Sequence, residues 1–223
     1  MKLKKIASLM LAGIMAVSML AACGSKTPDP NPGEGEGEGN TASGYSAMLG
    51  EKAADDLYKK DLDGIFTFAD NADDQKALEY VVSHKVDQKD VWNIITGDYV
   101  NSRDNDWVES LWKVFTDKAE IDYGIDGGLT NNSSRESVNS TRFAEFYVAN
   151  GDVDLDTVLD EIYEDVKGDF TSAAKEGSTN SGKVNYSYTV SVSVKNVPMK
   201  AFTEVNGSAN FIAVTVTRTA EFA

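Results

Sequence analysis

Four oxygen-bearing side chains between Asn150 and Glu161 have the spacing of a calcium loop. In the stretch NGDVDLDTVLDEIYED, with Asn150 as position 1, Asp152, Asp154 and Glu161 fall at positions 3, 5 and 12, where such a loop places oxygen ligands. The sixth position, which needs glycine for a sharp turn, is Leu155, and an ordinary side chain resists that backbone. The same carboxylates have a simpler use at a helix start, where Asp154 caps the chain and negative charge favours the positive end of the helix dipole. We carry the second reading forward. No metal and no cofactor is expected, and calcium at Asn150, Asp152, Asp154 and Glu161 is the minor alternative.

His84 is the only histidine, which removes a histidine-rich zinc site and the HExxH motif. A Ser-His-Asp triad stays formally open. On a helix whose apolar face is Leu78, Val81, Val82 and Val86, however, position 84 lies off that face and in water. Two carboxylates could hydrolyse a glycoside, with the stereochemical course set by their separation, but among 36 acidic residues spacing in sequence picks no pair. Trp92, Trp107 and Trp112, with Tyr186 and Tyr188, could offer an aromatic surface to a sugar or peptide. At helical and strand spacing they are expected in the core. Ser187, Thr189, Ser191 and Ser193 form a hydroxyl row that would line a concave pocket on a curved sheet, or simply face solvent.

The single cysteine, Cys23, stands at the end of MKLKKIASLMLAGIMAVSMLAACGS. Lys2, Lys4 and Lys5 precede an uncharged run from Ile6 to Met19 and the small residues Ala21 and Ala22, the pattern of a cleaved secretory signal. From Ile6 to Ala22 is 17 residues, the lower limit for crossing about 30 Å of hydrocarbon, and no basic stop-transfer cluster follows. Leu20-Ala21-Ala22-Cys23 resembles the lipobox of bacterial lipoproteins. That resemblance implies cleavage after residue 22 and a lipidated Cys23 as the first mature residue. It further implies a protein held on the cell membrane, facing the extracytoplasmic side, by acyl chains such as palmitate. Each buried methylene contributes about 0.8 kcal/mol, and two chains hold stably where one does not. One cysteine also rules out an internal disulfide framework, so the domain must stand on its core.

Removing the leader takes three lysines and no acid, which changes the net charge from −15 to −18, with 18 basic residues against 36 acidic. Such a balance argues against nucleic acid, whose phosphates need lysine and arginine. It argues equally against electrostatic attachment to anionic lipid. From Ser25 to Gly44 the chain reads SKTPDPNPGEGEGEGNTASG, too poor in apolar residues to offset its conformational entropy, so residues 23–44 are expected to be a disordered tether. The Gly-Glu repeat lacks the lysine and the Ser or Thr of a phosphate loop. Residues 45–223 suffice for one domain with a sizeable core.

Its first half reads as helical. Leu49, Ala53 and Leu57 recur every four residues, Leu62, Ile65, Phe66 and Ala69 repeat at 0, 3, 4 and 7, and Asn71 or Asp73 can cap the helix of Leu78 to Val86. Val91 to Ile95 fits helix or strand. Trp107, Leu111, Val114 and Phe115 predict a helix buried between layers, and KAEIDYGI a short strand. Helices over 141–149 and 155–175 follow a polar loop, with Val153 and Val158 placed as a hydrophobic staple around Asp154. The period then switches to two. Val184, Tyr186, Tyr188, Val190, Val192 and Val194 alternate with polar residues through KVNYSYTVSVSVKNV, and Ile212, Val214 and Val216 do so in the next run. These are two long antiparallel strands with one polar face. PMKAFTEVNGS between them is too long for a tight hairpin and is expected to include a helical turn.

This order predicts an α+β domain with several helices packed on one face of a curved antiparallel sheet built largely from the C-terminal strands. In outline, with DDLYKKDLDGIF and later VSVKNVPMKAF, it is similar to the cystatin-like and nuclear-transport-factor-like domains of tethered lipoproteins. That likeness leaves residues 126–182 as an insertion, and the fold hosts enzymes and binding modules alike. The favoured reading is a lipid-anchored, non-catalytic domain that binds an envelope protein, peptide or glycan. The alternative is a surface hydrolase, glycosidase-like, using two carboxylates.

Overall fold

The computed structural model describes residues 44–96, 100–101, 105–130, 140–179, 182–199 and 207–223. The stretch expected as a signal sequence, Cys23, nearly all of the expected tether and most of the connection before the last strand, with the helical turn expected in it, lie outside the described residues. Among the described residues five helices and seven strands follow one another: α1 (Gly44–Lys59), β1 (Phe66–Phe68), α2 (Ala72–Lys85), α3 (Gln88–Ile95), β2 (Val100–Asn101), α4 (Asp106–Ala119), β3 (Tyr123–Gly124), β4 (Thr141–Asn150), α5 (Leu155–Thr171), β5 (Glu176–Thr179), β6 (Gly182–Pro198) and β7 (Ser208–Phe222).

Local chemistry sets the helix starts. Asn71 accepts the Asp73 and Asp74 amides at the head of α2, Asn105 does the same for α4, and Asp87 with Asp90 forms a capping box on α3. Each satisfies amides that the first helical turn leaves without partners. The Val91 to Ile95 ambiguity resolves as helix. At α5 Asp154 holds the expected cap position but makes no side-chain cap bond, and of the two valines expected to flank it Val158 is buried and Val153 is 42% exposed.

The α+β class holds, and β6 and β7 dominate the sheet, paired in register from Val184–Phe222 to Pro198–Ser208. The strand order is β1-β6-β7-β4-β2, with β5 beside β6 and β3 beside β4. Three particulars differ from expectation. The sheet is mixed, because β1 runs parallel to β6 and β3 parallel to β4. Residues 141–149, expected as helix, are the interior strand β4, buried without interruption from Phe143 to Ala149. A strand covered on both faces shows no alternation, which is why its apolar run misleads. The Leu62–Ala69 repeat likewise ends in a strand, β1.

Helices also cover both faces of the sheet, not one. On the first face α1 and α5 pack over Tyr186, Tyr188, Val190, Ile212, Val214 and Val216. Phe66 stacks on Tyr188 at 4.8 Å between ring centres and meets Phe170 at 5.4 Å, within the range for favourable aromatic pairs. Outside this layer Lys52 bridges Asp156 and Asp160 at 2.8 and 2.7 Å, and Asp56 receives Lys167 at 3.0 Å and the Tyr163 hydroxyl at 3.1 Å. On the second face α2, α3 and α4 pack over Ala144, Phe146, Val148, Ala209, Phe211 and Ala213. Segment 126–182 is thus no appendage, since it supplies β4 and α5.

Candidate functional site

The second face is apolar only where helices lie on it. Strand register carries the opposite, polar end. Thr67, Thr189, Thr217 and Arg142 stand side by side across β1, β6, β7 and β4, and directly opposed residues of neighbouring strands share a face. In the adjoining row Ser191 faces Thr215. Of the hydroxyl row read from the sequence, Thr189 and Ser191 line a concavity, a hollow of about 270 Å³ bounded also by Thr215, Thr217 and the chain from Ala69 to Ala72, whereas Ser187 is exposed and Ser193 is buried outside it.

Hydrogen bonds fix its rim. Asn71 donates its amide to Ser191 Oγ at 3.0 Å. Ser46, fully buried in the first turn of α1, donates to Asp70 Oδ1 at 2.7 Å and accepts the Val192 amide at 3.0 Å. Behind the rim lies Asp74, fully buried. Its Oδ2 accepts Thr215 Oγ1 at 2.7 Å, and its Oδ1 pairs with Arg142 Nη2 at 2.5 Å. Arg142 Nη1 also donates to the carbonyl of Ala119, so the guanidinium joins the sheet to the end of α4.

Beyond Arg142 a second hollow opens between α2 and α4, about 470 Å³, lined by Asp73, Lys76, Ala77, Tyr80, Lys118, Ala119, Glu120 and Arg142. Lys76 donates to Asp73 at 2.9 Å. That bond, with a smaller pull from Arg142, holds the Asp73 carboxyl below its ordinary range. The Lys118 ammonium sits 4.3 Å from the centre of the Tyr80 ring. Glu120 ends α4 in the left-handed conformation, φ 54°, which a residue with a Cβ adopts at a cost of roughly 1 kcal/mol.

The residues singled out from sequence scatter. His84 is exposed, stacks on Tyr80, and turns Nδ1 to Ser83 Oγ and the Tyr80 carbonyl of its own helix. Tyr186 and Tyr188 are core, and burial pushes the Tyr188 hydroxyl up to about 12. Trp107 packs edge-on to Phe211 and Trp112 donates to the Ala144 carbonyl, whereas Trp92 is 37% exposed. Asn150 bonds the Ile95 carbonyl and the Asp152 amide, Asp154 stands at the helix start, and Glu161 lies on the exposed side of α5. Among the described residues no three or more His, Cys, Asp or Glu gather as metal ligands would. None of their helices is long and apolar enough to cross a membrane.

Sequence reasoning passed over Asp74, Arg142, Lys118 and Glu120. One signal was available: Asp74 lies four and seven residues before Leu78 and Val81, on the apolar stripe of α2, where a charge needs a partner. Comparison with protein-family models, curated proteins and solved structures returns no match.

Proposed function

We propose that this chain is a lipid-anchored bacterial surface lipoprotein whose α+β domain binds a ligand without transforming it. The observation that supports binding is the hydroxyl-lined hollow at the open end of the second face. Its threonines and serines, with the single carboxylate of Asp70 on the rim, offer donors and acceptors and no basic group, which suits a hydroxyl-rich polar ligand such as a glycan segment. Hydrolysis of a glycoside would need one carboxyl that keeps its proton at neutral pH beside an ionised one. Asp73, in the neighbouring hollow, is displaced the other way by its hydrogen bond from Lys76. An envelope protein or peptide is the other class of partner this reading allows, and nucleic acid is not part of it. Neither is a cofactor.

The anchor is tested by feeding labelled fatty acid to cells that express wild-type protein or Cys23→Ala. Label in the first alone supports it, and equal label in both ends it. Binding is tested by titrating neutral cell-wall oligosaccharides while recording amide chemical shifts. Shifts at Thr189, Ser191, Thr215 and Thr217 are expected. Shifts confined to other surfaces would move the site, and cleavage of the glycan would establish the hydrolase alternative. A melting temperature unchanged by millimolar calcium would remove the Asn150 to Glu161 alternative.

A further inference from the structure

We propose that the hollow between α2 and α4 is a separate site that holds a small zwitterion of the amino-acid class, a free amino acid or a dipeptide. At about 470 Å³ it falls within the span of pockets that enclose small molecules, about 300 to 1,000 Å³. Its lining alternates in sign, with Lys76, Lys118 and Arg142 against Asp73 and Glu120. Three bases to two acids inverts the balance of a chain with 21 basic and 36 acidic residues.

Four of the charges around this hollow are already matched. Lys76 holds Asp73 at 2.9 Å, and Arg142 holds the buried Asp74 at 2.5 Å. Lys118 and Glu120 remain. They are two residues apart, exposed and opposite in sign, and among the described residues neither makes an ion pair. Lys118 instead lies over the Tyr80 ring, and Glu120 stands at the left-handed C-cap of α4. A lone anion would satisfy Lys118 and leave Glu120 repelling it, and a lone cation would do the reverse. A ligand with carboxylate and ammonium a few bonds apart satisfies both, with Ala77, Ala119 and the Tyr80 ring as an apolar floor and wall for the atoms between.

This inference goes beyond the glycan-binding reading and shares with it only that the domain binds. The two fail separately, because one concerns uncharged ligands at Thr189 and Thr217 and the other charged ligands at Lys118 and Glu120. The test is calorimetric titration of the full chain in mild detergent with glycine, glycylglycine, N-acetylglycylglycine and glycylglycinamide. We expect glycine or glycylglycine to bind with a Kd of about 1 mM or tighter, and each capped dipeptide to bind about tenfold more weakly. Lys118→Gln and Glu120→Gln, both on exposed side chains, should each weaken binding about fivefold with the melting temperature held. No binding of either uncapped ligand at about 10 mM, equal binding of capped and uncapped forms, or variants without effect would overturn the proposal.

Discussion

The two faces of the sheet are built from the same two strands and reach opposite solutions. Ile212, Val214 and Val216 point into a dry layer of aromatic and aliphatic side chains under α1 and α5, while Ala213, Thr215 and Thr217 pass from apolar cover, through a buried hydroxyl bonded to Asp74, to a half-buried hydroxyl over a distance of four residues. On the first face stability comes from area removed from water. On the second, the boundary between covered and uncovered sheet is held by one buried carboxylate with a guanidinium and a hydroxyl on it. A face that must stay open cannot be sealed by packing, so its edge is fixed by directional bonds instead.

The comparison can be broken from either side. Phe170→Ala removes a ring in contact with Phe66 and Phe68 and should cost the most, about 4 kcal/mol in denaturant unfolding. Arg142→Met strands the Asp74 charge and should cost about 3 kcal/mol. Adding Asp74→Leu to it should recover most of that loss, because burial of an apolar pair is as good as burial of an ionic one. If the double variant is no better than the single, the edge depends on more than this pair. Thr215→Val removes the hydroxyl from Asp74 Oδ2 and should cost about 1.5 kcal/mol, with the hydrophobic layer under α5 unaffected.

Two smaller effects sharpen the contrast. Asp56, outside the dry face, is pulled down to about 2 by its hydrogen bond from Lys167 and then by Lys59. A carboxyl lowered on folding stabilises the protein fully above its ordinary value of 3.8, and that contribution fades as pH falls from there toward about 2. Thermal unfolding of wild type and Asp56→Asn should therefore converge across that window and differ above it. On the open face, Glu120→Gly relieves the left-handed turn and should raise the melting temperature by roughly 2 to 4 °C. A fall in stability there would mean that the Glu120 side chain makes a contact worth more than the turn costs.

Much of this architecture is legible in the sequence, and the limits are physical. Leu49, Ala53 and Leu57 place α1, Asn71 caps α2, and the alternation from Val184 to Val194 places β6, because each of these elements has one wet face and one dry one. β4 has none that is wet, so TRFAEFYVAN carries no period to read. The hydroxyl row was legible for the same reason as β6, whereas its enclosure by Ala69 to Ala72 depends on a parallel strand, β1, that joins the sheet over three residues. Arg142 and Asp74 are 68 residues apart, and nothing local announces that they meet. Only the position of Asp74 on an apolar stripe hints that it must have a partner.

Gly151 shows how tightly the turn out of β4 is tied to β7. Its amide donates to the Ser208 carbonyl at 2.7 Å, and a Cβ there would stand 2.0 Å from Ser208 Oγ and 2.8 Å from the Ser208 backbone. Ser208 opens the last strand, and that strand lies between β6 and β4 at the middle of the sheet. The domain's keystone is therefore β7, the strand farthest along the chain from the helix α1 that opens the fold. Without β7, β4 and β6 have no common neighbour, and neither helical layer has a continuous surface to settle on.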